Sequence, residues 1–212
     1  MIRMLFVLLI PLLLSAVNLL VCANEISLPT DQNDSQIEES VEIKIWSFQG
    51  QIEISNGQRH AHGNLIWQQN ERQYIVEFFP PLTRQNLQLF GDTHYEGGTI
   101  IGPEIGTIDD ENAEALLDTV TGLEIPVNYL PDWTRGSAVW DTSEPAQIND
   151  DSNGLVVSIK QLGWTIRYLE WHLPNNNGLV LPKILELNNG LTKIRLVIDH
   201  WSYLNPTTIL IA

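Results

Sequence analysis

Gly63-Asn64-Leu65-Ile66-Trp67-Gln68-Gln69, then Tyr74-Ile75-Val76-Glu77-Phe78-Phe79-Pro80-Pro81-Leu82-Thr83-Arg84, then Asn86-Leu87-Gln88-Leu89-Phe90 is the run that decides the fold. Apolar residues alternate at Leu65/Trp67, at Tyr74/Val76/Phe78 and at Leu87/Leu89. A period of two means strands with one face turned to an apolar interior. Proline cannot donate to a ladder, so Pro80-Pro81 interrupts pairing and holds the chain in a projecting turn. Leu82 sits at that tip. Two readings stand for it: it folds back on its own sheet, or it touches a lipid or a partner.

Upstream, Val41 to Ile54 reads as a strand of changing phase, Val41/Ile43/Ile45, then Trp46/Phe48, then Ile52/Ile54. Gly50 suggests a bulge or bend within it. Asn56-Gly57 is a hairpin turn into a partner strand, Gln58 to Gln68. His60 and His62 share one face of that strand and read as solvent-facing. A structural zinc site needs about four N or S ligands. No second clustered histidine pair exists, so neither metal nor cofactor is expected.

Downstream, Gly91-Asp92 turns into a short strand at Thr93-His94-Tyr95, and Gly97-Gly98 turns into Thr99-Ile100-Ile101. Asp109 to Thr121 reads as a helix capped by Asp109 or Asp110 and stopped by Gly122. Ala115, Leu116 and Val120, with Leu117 beside them, form its apolar stripe. Leu123-Glu124-Ile125-Pro126 is extended. Pro126 opens a short helix, Val127 to Arg135, broken or bent at Pro131, with Leu130 and Trp133 on its buried side. Glu144 to Gly154 reads as a polar loop. Strands resume at Leu155–Ile159, Trp164–Trp171, Leu181–Leu187 and Lys193–Tyr203. A long turn falls at Asn175-Asn176-Asn177-Gly178 and a tight hairpin at Asn189-Gly190.

The count is about ten or eleven strands and two or three helices. Hairpins dominate, which implies a mainly β fold: one large curved antiparallel sheet, or an incomplete barrel, with helices covering its open side. Aromatic and aliphatic residues crowd one face of it. They make either a filled core or a cavity for an apolar ligand.

The N-terminus is a separate matter. Arg3 precedes a nearly unbroken apolar run from Leu5 to Val21, the pattern of a secretory signal in residues 1–21. Residues 22–40 form an acidic polar tether, and 41–212 a single domain. The one cysteine, Cys22, lies at the junction, so no disulfide can form inside the domain. Leu19-Leu20-Val21-Cys22 resembles a lipobox, which makes Cys22 a lipid anchor after cleavage. Val21-Cys22-Ala23 equally offers small residues for ordinary cleavage before Asn24, which leaves a soluble periplasmic protein. The chain carries 11 basic against 26 acidic residues. That balance argues against nucleic acid and against broad adsorption to anionic membranes. There is no Gly-x-Ser-x-Gly elbow, no His-Glu-x-x-His and no phosphate-binding loop, so no catalytic residues are assigned and an enzyme is not expected.

Four segments resemble the LolB family of outer-membrane lipoprotein receptors. They are Trp67-Gln68-Gln69 through Phe79-Pro80-Pro81-Leu82 to Leu87-Gln88-Leu89; Leu117-Asp118 through Thr121-Gly122, Ile125-Pro126-Val127 and Leu130-Pro131-Asp132-Trp133 to Gly136; the aromatic strand around Trp164; and Ile194-Arg195-Leu196 through Asp199-His200-Trp201. The resemblance implies an eleven-stranded half-barrel with a helical lid over a hydrophobic cavity. Shared alternation puts the acyl-binding face of that cavity at Trp67, Tyr74, Val76, Phe78, Leu87 and Leu89, against Leu116, Leu117, Val120 and Trp133. Pro80, Pro81 and Leu82 match a membrane-insertion loop, with Thr83 where the family has glycine. The implied partners are a LolA-like periplasmic carrier, acylated lipoprotein cargo and outer-membrane lipid, for a monomer anchored on the periplasmic face. Ala23 in place of Asp implies outer-membrane sorting. A structural or adhesive outer-membrane lipoprotein and an unanchored periplasmic carrier are the alternatives.

Overall fold

A computed structural model describes residues 44–81, 86–174 and 179–204. Within them the chain forms β1 (Ile45–Ser55), β2 (His60–Asn70), β3 (Gln73–Phe79), β4 (Leu87–Asp92), β5 (Gly98–Gly102), β6 (Gly106–Asp110), α1 (Ala113–Thr121), α2 (Leu130–Trp133), β7 (Gln147–Asp150), β8 (Val156–Gln161), β9 (Trp164–Trp171), β10 (Pro182–Asn188) and β11 (Lys193–Leu204). The strands make one eleven-stranded sheet in the order β6-β5-β4-β3-β2-β1-β11-β10-β9-β8-β7, every neighbouring pair antiparallel. The sheet is unclosed, with β6 and β7 as its edges. Both edge strands end in carboxylates, Asp109-Asp110 and Asp150, which discourage pairing with another chain. The segment from Glu111 to Ala146, which carries both helices, joins one edge to the other. This is the mainly β, helix-bearing half-barrel that the hairpin count and the family resemblance lead to.

The inner face is built by cross-strand rows. Ile100, Leu89, Val76, Trp67, Phe48 and Trp201 are successive partners across six strands. A second row, Ile54, Ile194, Leu187, Ile166, Ile159 and Ile148, runs toward the other edge. Directly opposed side chains of this kind are the unit of sheet stability. One half of the interior is therefore aromatic. Phe48 packs between Trp67 and Trp201, with ring centroids 6.1 and 5.2 Å away. The second row is aliphatic, with the buried Trp133, Trp164 and Tyr168 in the same half of the interior.

Several sequence expectations shift. Trp46, Phe48, Gly50, Ile52 and Ile54 keep one phase along β1 and all face inward. The bulge is on β11 instead: Gln49 pairs with His200 and Gly50 with Ile198, which leaves Asp199 as the extra residue. Gly50 is required there, since a Cβ would fall 2.1 Å from the Val197 carbonyl oxygen. Val41, Ile43 and the Asn175–Gly178 turn lie outside the described residues.

Asp109 and Asp110 do not cap α1; they finish β6, paired with Thr99 and Gly98. Asn112 caps it, its Oδ1 accepting from Ala115 N at 2.9 Å. The strand claims the two aspartates because pairing to β5 satisfies their backbone groups. The second helix is only one turn long, and Pro131 lies in that first turn, where its missing N–H is no loss. Thr93-His94-Tyr95 is a turn, fixed by His94 N donating to Asp92 Oδ1 at 2.8 Å. Gln147–Asp150, inside the segment read as a polar loop, is strand β7 with every residue exposed.

Candidate functional site

The edge-to-edge segment crosses the concave face and leaves a small apolar space beneath it. Its volume is about 100 Å³. From the sheet come Ile52, Leu65, Trp67, Val76, Phe78 and Leu89; from the crossover, Leu117, Leu123, Ile125, Val127 and Leu130. Alternation sets the crossover side: Leu123, Ile125 and Val127 share one face of an extended stretch and are buried. Thr121 also lines the space. Its hydroxyl is satisfied locally, donating to Leu117 O at 2.6 Å and accepting from Leu123 N at 3.1 Å. The lining therefore offers almost nothing but hydrocarbon.

Six of the ten residues expected to make an acyl-binding face meet here: Trp67, Val76, Phe78, Leu87, Leu89 and Leu117. Four do not. Tyr74 is 1% exposed and lies over Gly91, where a Cβ would fall 2.2 Å from its ring. Its hydroxyl donates to Asn128 Oδ1 at 3.2 Å, at the margin of the space. Leu116 and Val120 pack into the core beside it. Trp133 is fully buried in the other half, 6.4 Å from Trp164 between ring centroids, and donates through Nε1 to Gln161 Oε1. Ile52, Ile54, Ala61, Leu65, Ile100, Leu123, Ile125, Val127 and Leu130 join the lining without having been assigned to that face. The Ile52/Ile54 and Leu123/Ile125/Val127 alternations were the available signal.

Polar contacts hold the crossover outside this space. At one end Ala113 N donates to Glu96 O at 2.7 Å. Near it, Glu114 Oε1 accepts from Asn128 N at 3.4 Å. Burial pushes the Glu114 carboxyl above its usual range, with the Asn128 N–H opposing and Glu96 and Glu124 adding to the rise. Burial likewise raises the Tyr74 phenol, helped by the Glu114 and Asp92 carboxylates. At the other end Asn56 Nδ2 donates to Gly122 O at 2.9 Å. The Arg59 side chain lies against the same glycine. Toward β9, Tyr168 OH donates to Trp133 O at 2.7 Å. Arg135 pairs with Asp132 at 3.0 Å and sits 5.6 Å from the Trp46 ring centre.

A larger depression, about 620 Å³, runs over the opposite face of the sheet along Ser47, Gln68, Ile75 and Phe90. It is shallow and floored partly by polar side chains. The crossover space is the better candidate for an apolar ligand because it is covered and lined by hydrocarbon.

His60 and His62 are exposed, their rings 5.4 Å apart, with His60 Nε2 3.1 Å from Glu53 Oε1. Among the described residues no group of three or more His, Cys, Asp or Glu is arranged to hold a metal. Pro80 is half-buried and Pro81 exposed at the end of β3. Leu82 and Cys22 lie outside the described residues.

Comparison with known proteins agrees on one family. The family described as "Outer membrane lipoprotein LolB" matches residues 44–201. A relative named outer-membrane lipoprotein LolB from Xanthomonas campestris pv. campestris is 39% identical over 157 residues, 74% of this chain and 72% of its own. One of the same name from Xylella fastidiosa is 32% identical over 165 residues, 76% of this chain and 72% of its own. Among solved structures, a LolA superfamily protein from Nitrosomonas europaea aligns with a TM-score of 0.47 and 12% identity, over 81% of this chain and 91% of that one.

Proposed function

This chain belongs to the LolB family of outer-membrane lipoproteins, and on that premise we propose that it receives acylated lipoproteins from a soluble periplasmic carrier and passes them into the outer membrane. The role is transport, not catalysis. The acyl chains enter between the concave face and the crossover. Cys22 holds the protein at the outer membrane through its own lipid, and the Pro80–Leu82 turn acts at insertion. The observation that carries the reading is the hydrocarbon-lined space between the crossover and the sheet.

The physics suits such a task. Each buried methylene contributes about 0.8 kcal/mol, so several acyl chains need a continuous apolar host between carrier and bilayer. Contact with Trp67, Leu89 or Leu123 is not directional, so an acyl chain can slide along the lining without exchanging hydrogen bonds with it. The resting space of about 100 Å³ is smaller than a cavity of about 150 Å³ that admits benzene. A fatty acyl chain therefore requires the crossover to move away from the sheet.

Substitution Leu89→Glu tests the face. Leu89 is 5% exposed between Val76 and Ile100. An unpaired carboxylate there is costly, and uptake of acylated cargo is expected to be lost. Leu117→Glu, on half-buried crossover surface, repeats the test at a more tolerant position. If both variants fold and take up cargo as well as the native protein, the reading fails. Mass analysis of the native N-terminus checks the anchor, an acylated Cys22 against a free Asn24.

A further inference from the structure

The apolar space shares two walls with a polar depression. Along β2 the space runs from Ala61 to Trp67, and Gln69, the next residue on that face, lines a depression of about 440 Å³. Trp67 Nε1 donates to Gln69 Oε1 at 2.8 Å across the boundary. The crossover repeats the pattern. Val127 and Leu130 line the space, and Asn128 and Pro131, each the following residue, line the depression.

The depression is rich in donors. Lys44, Arg72 and Arg135, three of the chain's 11 cations, line it. Glu71 and Asp132 leave one net positive charge there, so the depression offers N–H groups without demanding an anion. Arg135 is held in place. Its Nε donates to Pro131 O and its Nη2 to Asp132 Oδ1, both at 3.0 Å, and its guanidinium lies over the Trp46 ring. Those contacts use two of its five N–H groups. Asp132 and Arg135 flank Trp133, whose carbonyl accepts from Tyr168 OH and whose Nε1 donates to the buried Gln161, so this wall is tied to the sheet. The opposite end of the space finishes in acceptors. There Leu117 and Leu123 line the space, while Asp118 and Glu124, each the following residue, line a second depression with Glu114.

We infer that the donor-rich depression receives the carbonyl groups at the root of the acyl chains, the esters of a diacylglyceryl cysteine, with Arg72 and Arg135 as the donors. The inference rests on the receptor reading and adds to it which way the cargo lies. A carbonyl taken out of water needs a donor. The hydrocarbon lining gives none, and carboxylates such as Asp118 and Glu124 only accept. Arginine only donates, and a charged donor makes the stronger bond. The polar head of the cargo therefore sits against Gln69 and Asn128, and its chains run from there toward Ile54 and Ala61.

Two soluble, short-chained ligands provide the test: a dioctanoylglyceryl cysteine joined to a neutral peptide, and its dioctyl ether counterpart, which lacks both ester carbonyls. Displacement of an apolar fluorescent probe from the native protein gives each affinity. The ester should bind about tenfold tighter, the scale of one hydrogen bond to a charged donor. In the double variant Arg72→Met, Arg135→Met, which keeps the side-chain stems and removes the N–H groups, that preference should fall below about twofold while ether binding is unchanged. Arg72→Met alone, at an exposed position that does not threaten the fold, should reduce the preference about threefold. Asp118→Asn should leave it as it is. Equal native affinities for ester and ether overturn the inference, as does a native-sized preference in both arginine variants. A double variant that weakens ester and ether alike also overturns it, because Arg135 would then only support Trp46. Loss of the preference in Asp118→Asn, with the arginine variants unaffected, overturns the direction of the cargo. Tighter native binding of dioctanoyl phosphatidylglycerol than of the ester lipopeptide makes the depression an anion site and overturns the carbonyl assignment. If the native protein binds neither ester nor ether, it is the receptor reading that fails.

Discussion

Substituting Asn56 by Asp isolates the latch that holds the crossover down. Asn56 Oδ1 accepts from Gln58 N at 3.2 Å and Arg59 N at 2.8 Å, which shapes the β1–β2 turn. An aspartate keeps both bonds, and Asp-Gly is as good a hairpin pair as Asn-Gly. What it loses is the donor to Gly122 O, 2.9 Å away. A net hydrogen bond is worth about 0.5–1.5 kcal/mol. Because a carboxylate oxygen then faces the Gly122 carbonyl, about 1 kcal/mol is the least loss, and the closed form loses at least about fivefold against the open one. If only the open form admits an acyl chain, apparent affinity rises by that same factor. Unfolding should respond too, with Tm falling by about 2–4 °C for a chain of this size. Titration with an acylated fluorescent peptide reads the affinity, and calorimetry reads Tm. High salt keeps Arg59 from replacing the lost attraction. A lower Tm with unchanged affinity would refute the reasoning, because the bond would then stabilise the fold without gating the space.

Three further outcomes are expected. Leu82→Glu should leave uptake from the carrier intact while delivery into liposomes fails; equal delivery by variant and native protein would return Leu82 to a place on its own sheet. Glu114→Gln should raise Tm at neutral pH. Because burial lifts the folded carboxyl above its unfolded range, stability is fullest at low pH and declines as pH rises through the folded value. The gain in the variant should therefore shrink on acidification, and a gain that grows in acid would contradict that sign. Gly91→Ala should lower stability by about 1–3 kcal/mol, the usual penalty of overpacking, since the new Cβ meets the Tyr74 ring. Denaturant unfolding of Gly91→Ala measures it, and a smaller penalty for the same substitution in a Tyr74→Ala background would confirm the clash.

The central strands were legible because one of their faces is buried and the other is not. Leu65/Trp67, Val76 and Leu89 announce their side by alternation. Asn56-Gly57 and Asn189-Gly190 announce their turns. β6 and β7 were invisible for the same reason reversed: as edge strands exposed throughout, they carry no alternation to read. The run Asp109-Asp110-Glu111-Asn112 offered several caps, and only the pairing of Gly98 with Asp110 decides among them. In the site, period two selected the sheet face that the crossover covers but could not say how far the crossover reaches along it. Tyr74 shares that face with Val76 and Phe78, yet its hydroxyl needs a partner, and Asn128 draws it to the margin. Trp133 was legible as buried, but which half of the interior receives it depends on Gln161, distant in sequence.

The pairing of β1 with β11 has a consequence for how the chain reaches its native state. Ile45 meets Leu204 and Ser55 meets Lys193, so the middle of the sheet is stitched from the two ends of the domain. Closing so long a loop is entropically unfavourable and makes folding slow. Until β11 arrives, β1 has an open ladder edge beside Trp46 and Phe48, the kind of surface that recruits other chains. A chain cut short before Lys193 would lack not one strand among eleven but the seam between two meanders. Whatever escorts the unfolded polypeptide has to shield that edge until synthesis and export are complete.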